Sequence, residues 1–259
     1  MMDTTMNGQR VLVTAGAAGI GLAIAQSFAA AGARVHVCDV DDKALANLPT
    51  MLPGVGATHT DVADSHEVDA LFGEVSSRWE GLDVLVNNAG IAGPTAPVED
   101  ISDADWERTF AVNLHAMFYC TRRAVPLLKR AGGGSIINLS SAAGRFGFAL
   151  RTPYSASKWG VIGFTQSLAI ELGPANIRVN AILPGVVAGE RQDRVIAAKA
   201  RALGISVDEQ RERLLSKVSL RRMVSAQDIA NMILFVASPA GANVSGQSLS
   251  VCGNVETLS

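Results

Sequence analysis

Tyr154 and Lys158 lie four positions apart in the run Tyr154-Ser155-Ala156-Ser157-Lys158. On a helix that spacing places a phenol and an ammonium on one face. Carbonyl reduction needs an acid that protonates the developing alkoxide, and alcohol oxidation needs the reverse. A neighbouring cation favours the phenolate that both directions pass through. The chain holds only two tyrosines and five lysines, so the pairing is a sharper signal than a common surface i,i+4 contact. Ser141 lies 13 residues before Tyr154, after the apolar run Ile136-Ile137-Asn138-Leu139. Its hydroxyl would hydrogen-bond the substrate oxygen, whereas the adjacent Ser140 is expected to bond backbone. Asn113 interrupts the apolar stretch Phe110-Ala111-Val112-Asn113-Leu114. An asparagine inside a helix ordinarily faces solvent; a buried one would hold the water through which protons reach Lys158.

A second group of residues suits a dinucleotide. The turn Thr14-Ala15-Gly16-Ala17-Ala18-Gly19-Ile20-Gly21 separates a short apolar run from an apolar helical stretch. Small residues let backbone approach a pyrophosphate and leave N–H groups open at a helix N-terminus. The predicted contacts are Thr14, Gly16, Ala18, Gly19, Ile20 and Gly21. Asp39 follows 18 positions beyond Gly21 and would accept hydrogen bonds from the adenosine ribose. It would repel a 2′-phosphate, and neither Arg nor Lys occurs in the turn to offset that, so NAD is expected over NADP. The competing reading has Asp39 capping a helix around Asp41–Leu48. Asp61-Val62 and Asn87-Asn88-Ala89-Gly90 close two further apolar runs; of these, Asp61, Val62, Asn88, Ala89 and Gly90 are expected beside the cofactor.

The elements that must position these groups follow from the hydrophobic pattern. Strands are predicted at Arg10–Thr14, Arg34–Asp39, Gly56–Thr60, Asp83–Asn87, Ser135–Ser140, Ile177–Leu183 and Ser248–Val251. Most are rich in branched residues rather than alternating, as strands covered on both faces should be. Helices are predicted at Gly19–Ala31, Ser65–Arg78, Asp103–Arg130, Pro153–Leu172 and Ala226–Ala237, with Thr152 as the cap before Pro153. Strand–helix alternation over 259 residues predicts one α/β domain: a doubly wound parallel sheet of about seven strands with helices on both faces. This is the Rossmann-type arrangement.

Composition excludes several classes. The net charge of −2 gives no footprint for nucleic acid or anionic lipid. Hydrophobic residues make up 48% but aromatics only 5%, so small and branched side chains must fill the core. The uncharged stretch between Arg10 and Arg34 is long enough to suggest a membrane span, but its clustered glycines fit a strand, a turn and a buried helix better. Cys38, Cys120 and Cys252 are widely spaced, as expected of free thiols in the cytoplasm. His36, His59, His66 and His115 show no ligand spacing, and no metal site is expected.

Together these residues resemble the short-chain dehydrogenase/reductase family along nearly the whole chain. The resemblance rests on the Thr14–Gly21 turn, Asp61-Val62, Asn87–Gly90, Asn113, Ser141, Tyr154 with Lys158, and Pro184-Gly185. It implies Tyr154 as general acid/base, and Lys158 as the residue that favours the phenolate and binds the nicotinamide ribose. It further implies Ser141 orienting the substrate and Asn113 completing a proton relay. Pro184, Gly185 and Val187 would border the nicotinamide. The implied reaction is NAD(H)-dependent interconversion of a secondary alcohol and a ketone in a homotetramer. Three departures stand out: Ala15 replaces the usual first glycine, Gly189 a common hydroxyl residue, and Cys252 a common acid. Phe118, Tyr119, Trp159 and Phe164 are candidates for burial between subunits.

Residues 186–222 read as a charged helical insertion, expected to be a mobile lid. Nine basic residues oppose five acidic ones there, which suits an anionic substrate, with Arg145 and Arg151 also in reach of the pocket; the stronger competing reading is an exposed surface of mixed charge, in which Glu209 and Arg213 stand at i,i+4 spacing. Two alternatives remain open on the same residues. A dinucleotide-sensing regulator would keep the cofactor contacts without chemistry, and an NAD-dependent sugar epimerase would release no net NADH.

Overall fold

The computed structural model describes residues 3–255. Its strands are β1 (Arg10–Thr14), β2 (Arg34–Asp39), β3 (Gly56–His59), β4 (Val84–Asn87), β5 (Gly134–Leu139), β6 (Ile177–Pro184) and β7 (Ser248–Val251). The helices are α1 (Gly19–Ala30), α2 (Asp42–Met51), α3 (Ser65–Arg78), α4 (Asp103–Phe110), α5 (Ala116–Arg130), α6 (Thr152–Leu172), α7 (Glu190–Leu203), α8 (Val207–Leu215) and α9 (Ala226–Ala237). The strands form one sheet in the order β3-β2-β1-β4-β5-β6-β7. Every adjacent pair is parallel. The chain order reverses between β1 and β4, and in open parallel sheets ligands bind in the crevice at such a point.

The strands are apolar on both faces because each face carries helices. In β1, Val11 and Val13 pack with Ile24, Phe28 and Ile233 of α1 and α9. Leu12, between them, packs with Leu71 of α3 and Ala124 of α5 on the other face. The period of two in side-chain direction produces this division. Fully burying a side chain of this size contributes roughly 1.5–3 kcal/mol, which makes β1 the hub of both layers. The uncharged stretch after Arg10 divides into β1 and the 12-residue α1. Among the described residues, no helix is long and apolar enough to cross a membrane.

The helix expected over residues 103–130 is present as α4 and α5, continuous through a π-helical turn at Ala111–His115 that the pattern does not reveal. One expectation needs correction. Thr152 is not a cap: it already belongs to α6, and Arg151 occupies the cap position without a side-chain hydrogen bond. The charged segment 186–222 is helical as expected, holding α7 and α8, with Gly189 and Gly204 in left-handed backbone at either end of α7.

Candidate active site

The glycine turn is shaped by lack of space. A methyl group on Gly16 would meet the Val37 side chain at 2.6 Å. One on Gly21 would overlap the Ala15 carbonyl and come within 2.7 Å of Asn88 Nδ2. Ala15 itself takes φ +50°, a conformation that suits the glycine it replaces. Gly19 opens α1 at φ +54°, and the helix has no side-chain cap and no acid in its first turn. Its first N–H groups are therefore left for a ligand anion.

The neighbouring polar residues hold this turn in place. Thr14 Oγ1 accepts from the Asn88 and Ala89 N–H groups, both at 3.0 Å. Asn88 Nδ2 donates back to the Thr14 and Ala15 carbonyls at 2.9 and 3.0 Å. Asp39 is 9% exposed and accepts from Ala17 N at 3.1 Å and Val40 N at 2.8 Å. It does not cap α2; Asp41 does, accepting from Lys43 N and Ala44 N. Asp61 accepts from Ala63 N at 3.0 Å and pairs with Arg108 of α4 at 3.1 Å, while Val62 is buried in the core beside it.

At the catalytic end, α6 is tied to the end of β5 by two bonds. Lys158 Nζ donates to the Leu139 carbonyl at 2.7 Å, and Ser140 Oγ donates to the Lys158 carbonyl at 2.8 Å. Ser140 thus takes the structural role expected of it. Ser141 Oγ accepts from Ala143 N at 3.1 Å, which leaves its own proton to donate. Ser155 Oγ donates to Ala143 O at 2.9 Å and fixes that loop against α6. Lys158 is 3% exposed, with Nζ 5.9 Å from the Tyr154 ring centre. Burial lowers its ammonium to about 7, and Arg191 pushes in the same direction.

Asn113 sits in the π turn, fully buried. Its amide bonds both the N–H and the carbonyl of Ile91, at 2.8 and 3.1 Å. Its Nδ2 also donates to Ser157 Oγ at 3.1 Å, and Ser157 Oγ donates to the Tyr154 carbonyl at 2.8 Å. A methyl group on Gly90 would lie 3.1 Å from Asn113 Oδ1 and 3.4 Å from Lys158 Nζ, so these groups meet at the Gly90 turn. The Asn113 side chain is therefore a brace between β4 and α6. Ser157 escaped the sequence reading; its one signal was its place between Tyr154 and Lys158.

The remaining residues divide. Gly185 packs on Cys252, whose Cβ would lie 2.6 Å from an added methyl group. Pro184 ends β6, and Val187 pairs with Val224 in an isolated parallel bridge. Arg191 Nη1 donates to the Gly90 carbonyl at 3.0 Å and so ties α7 to the site. Arg145 turns away and bonds Ser250 Oγ and Ser248 O on β7, contrary to the expectation that it reaches the pocket. Three of the basic residues of 186–222 are paired within the segment: Arg194 with Glu190, Arg211 with Asp193, and Arg213 with Glu209.

Comparisons with known proteins agree with this geometry. A family model described as enoyl-(acyl carrier protein) reductase matches residues 15–254. Galactitol 2-dehydrogenase of Agrobacterium fabrum (strain C58 / ATCC 33970) is 38% identical over 96% of this chain and 97% of its own. Trans-4-hydroxycyclohexanecarboxylate dehydrogenase of Sinomonas cyclohexanicum is 38% identical, covering 93% and 90%. The crystal structure of an NAD+-bound xylitol dehydrogenase superposes with a TM-score of 0.91 at 28% identity, covering 96% of this chain and 99% of that one. The chain belongs to the short-chain dehydrogenase/reductase family and is an oxidoreductase.

Proposed function

We propose that the protein is an NAD-dependent dehydrogenase that interconverts a secondary alcohol and a ketone, with Tyr154 as general acid/base. The observation that carries this reading is the meeting of Lys158 and Asn113 at the Gly90 turn, with the Tyr154 ring centre 5.9 Å from Lys158 Nζ and Ser141 on the loop bound to α6. The names of relatives that act on galactitol, xylitol and a hydroxycyclohexane acid support the CH–OH chemistry.

The residues at the glycine turn fit a dinucleotide, because Gly19 has open space beside it at the start of α1 and the α1 N–H groups are uncapped. Gly16, Ala18, Gly19, Ile20 and Gly21 would hold the pyrophosphate. Asp39 would hold the adenosine ribose and disfavour NADP. Asp61 and Val62 would border the adenine, and Asn88, Ala89, Gly90, Pro184, Gly185 and Val187 the nicotinamide half. Bound NAD supplies the hydride acceptor. In alcohol oxidation Ser141 donates to the substrate oxygen and Tyr154 takes its proton. Lys158, desolvated beneath the ring, favours the phenolate. Asn113 holds α6 against the Gly90 turn, so Tyr154 and Lys158 keep their relative positions.

Residues 186–222 form the lid of this site, with Gly189 and Gly204 as hinges of α7 and the Arg191–Gly90 bond as its latch. The protein is cytoplasmic and homotetrameric in this reading. Phe118, Trp159 and Ile170 lie on α5 and α6 at 46, 51 and 82% exposure, which suits a helix-to-helix interface between copies. The direct test is NADH formation at 340 nm against a panel of polyols and hydroxy acids. Net NADH release with at least one of them supports a dehydrogenase. Turnover without it indicates an epimerase, and NAD binding without turnover a regulator.

A further inference from the structure

Among the described residues, a group of cations beside Tyr154 has no counter-ion. Arg151 is 2% exposed, with its guanidinium 5.1 Å from the Tyr154 ring centre and 5.3 Å from that of Phe148. One amino group donates to the Ala92 carbonyl, and Nε has no partner. Lys199 of α7 is 7% exposed and lies 5.0 Å from the same Phe148 ring. Among the described residues it makes no hydrogen bond or ion pair. Arg191 reaches in from the first turn of α7. Burial lowers Arg151, which Tyr154 opposes and Arg191 reinforces; burial, then Lys217 and Arg151, lower Lys199. No carboxylate of the described residues acts on either. The acids Glu190, Asp193 and Glu209 are all engaged with other arginines. Lys199 also lines a cavity of about 490 Å³ between the Ala149–Leu150 backbone and α7–α8, so space for a ligand adjoins this one of the three cations.

Desolvated cations without an acid are costly, and the cost falls when an anion arrives. An unused Nε–H on a guanidinium suits a planar carboxylate, which it can bind through two parallel N–H bonds. We propose that Arg151, with Lys199 and Arg191, is a receptor for a carboxylate on the substrate, so that the preferred alcohol is a hydroxy acid rather than a neutral polyol. The inference rests on the dehydrogenase reading above and names its substrate class. The positive charge that matters is then these three residues rather than the whole of 186–222. The hydroxy-acid relative, trans-4-hydroxycyclohexanecarboxylate dehydrogenase, accords with this choice.

The test compares kcat/KM, with NAD, for trans-4-hydroxycyclohexanecarboxylate and its carboxamide, and for 3-hydroxybutyrate and its amide. The acid of each pair should lead by tenfold or more in the wild type. Arg151→Gln should cut that ratio at least tenfold, and Lys199→Gln at least threefold. Equal rates on acid and amide in the wild type overturn the proposal. So does an unmoved ratio in both variants. If Arg151→Gln slows acid and amide equally and shifts the pH profile, Arg151 serves Tyr154 instead and the receptor is likewise overturned. Calorimetric binding of cyclohexanecarboxylate and cyclohexanecarboxamide to the wild type keeps the two readings apart. Tighter binding of the acid without oxidation of any alcohol supports the receptor and sinks the dehydrogenase. Oxidation without acid preference does the opposite. Should Arg151→Gln fail to fold, Lys199→Gln and the wild-type pairs decide.

Discussion

At the ends of β1 to β3, Thr14, Asp39 and Asp61 each accept hydrogen bonds from nearby N–H groups. Beside β4 to β6, the buried Lys158, Arg151 and Lys199 meet carbonyls, aromatic rings and one another. In the first region polarity is spent on holding a backbone shape, and that shape is ready before any ligand binds. In the second, positive charge is kept out of water without a carboxylate partner among the described residues, where it acts strongly on whatever anion forms or enters. One half of the crevice is thus prepared by geometry and the other by charge.

The largest effect should come from the charged half. Tyr154→Phe keeps the ring between Arg151 and Lys158 but removes the proton, and should lower kcat by about 10²–10⁴-fold. Affinity for NADH, followed by fluorescence titration, should change less than twofold. A variant retaining half the activity would mean that the cations serve some other group.

The second prediction concerns the first half, where His36 of β2 is buried without charge. Thr58 gives its hydroxyl proton to Glu74 at 2.7 Å, so the 2.8 Å contact with His36 is donated by Nε2, and Nδ1 has no partner. Burial lowers the imidazolium to about 4; Glu74 opposes this and Arg78 adds to it. An unfolded histidine binds its proton near pH 6.5 and the folded one only near 4, so the unfolded chain holds more protons between those values. Stability should therefore fall as pH drops through that window, by on the order of 3 kcal/mol from this residue. His36→Phe should show a visibly smaller drop in Tm between pH 6.5 and pH 4. Equal drops would place the acid sensitivity elsewhere.

Cofactor choice should be a smaller effect. Wild-type kcat/KM should favour NAD over NADP by at least about tenfold, equivalent to ~1.4 kcal/mol, and Asp39→Ser should narrow the ratio. Equal use of both cofactors by the wild type would show that Asp39 serves only to hold Ala17 N and Val40 N. Smallest of all is Ala15→Gly. Relief of the left-handed alanine is worth roughly 1–2 kcal/mol, and the added freedom of the unfolded chain offsets roughly 0.5–1 of it. Tm should rise by about 2 °C; a fall would mean that the alanine methyl group packs usefully.

Much of this was legible in the sequence because it depends on local signals. Branched apolar runs marked the strands, and the i,i+4 placement of Tyr154 and Lys158 needed only a helix. The strain at Ala15 was visible as a missing glycine. Long-range partners were not visible. Nothing near Asp61 announces Arg108, and nothing near Asn113 announces Ile91 and Ser157. Arg151 carries no mark of burial in its own neighbourhood; its environment is made by Phe148, Tyr154 and a helix 40 residues on. The charge of residues 186–222 reads as one field in the sequence, although three of its nine basic residues are taken up by i,i+4 and cross-helix pairs once α7 and α8 are placed.

The π turn at Ala111–His115, inside the continuous run of α4 and α5, is likewise unmarked in the sequence by any proline or glycine. Such a turn accommodates one residue more than an α-helix of the same rise. Each residue advances an α-helix by about 100°, so the surplus one sets the angular phase between Asp103–Phe110 and Ala116–Arg130. The genetic consequence is unusual. Loss of a single codon between 111 and 115 would leave a continuous, well-formed helix while swinging Asn113 off the Ile91 backbone. Substitution scanning would pass over that lesion, whereas a library of one-codon deletions would find it as folded protein with a misaligned active site.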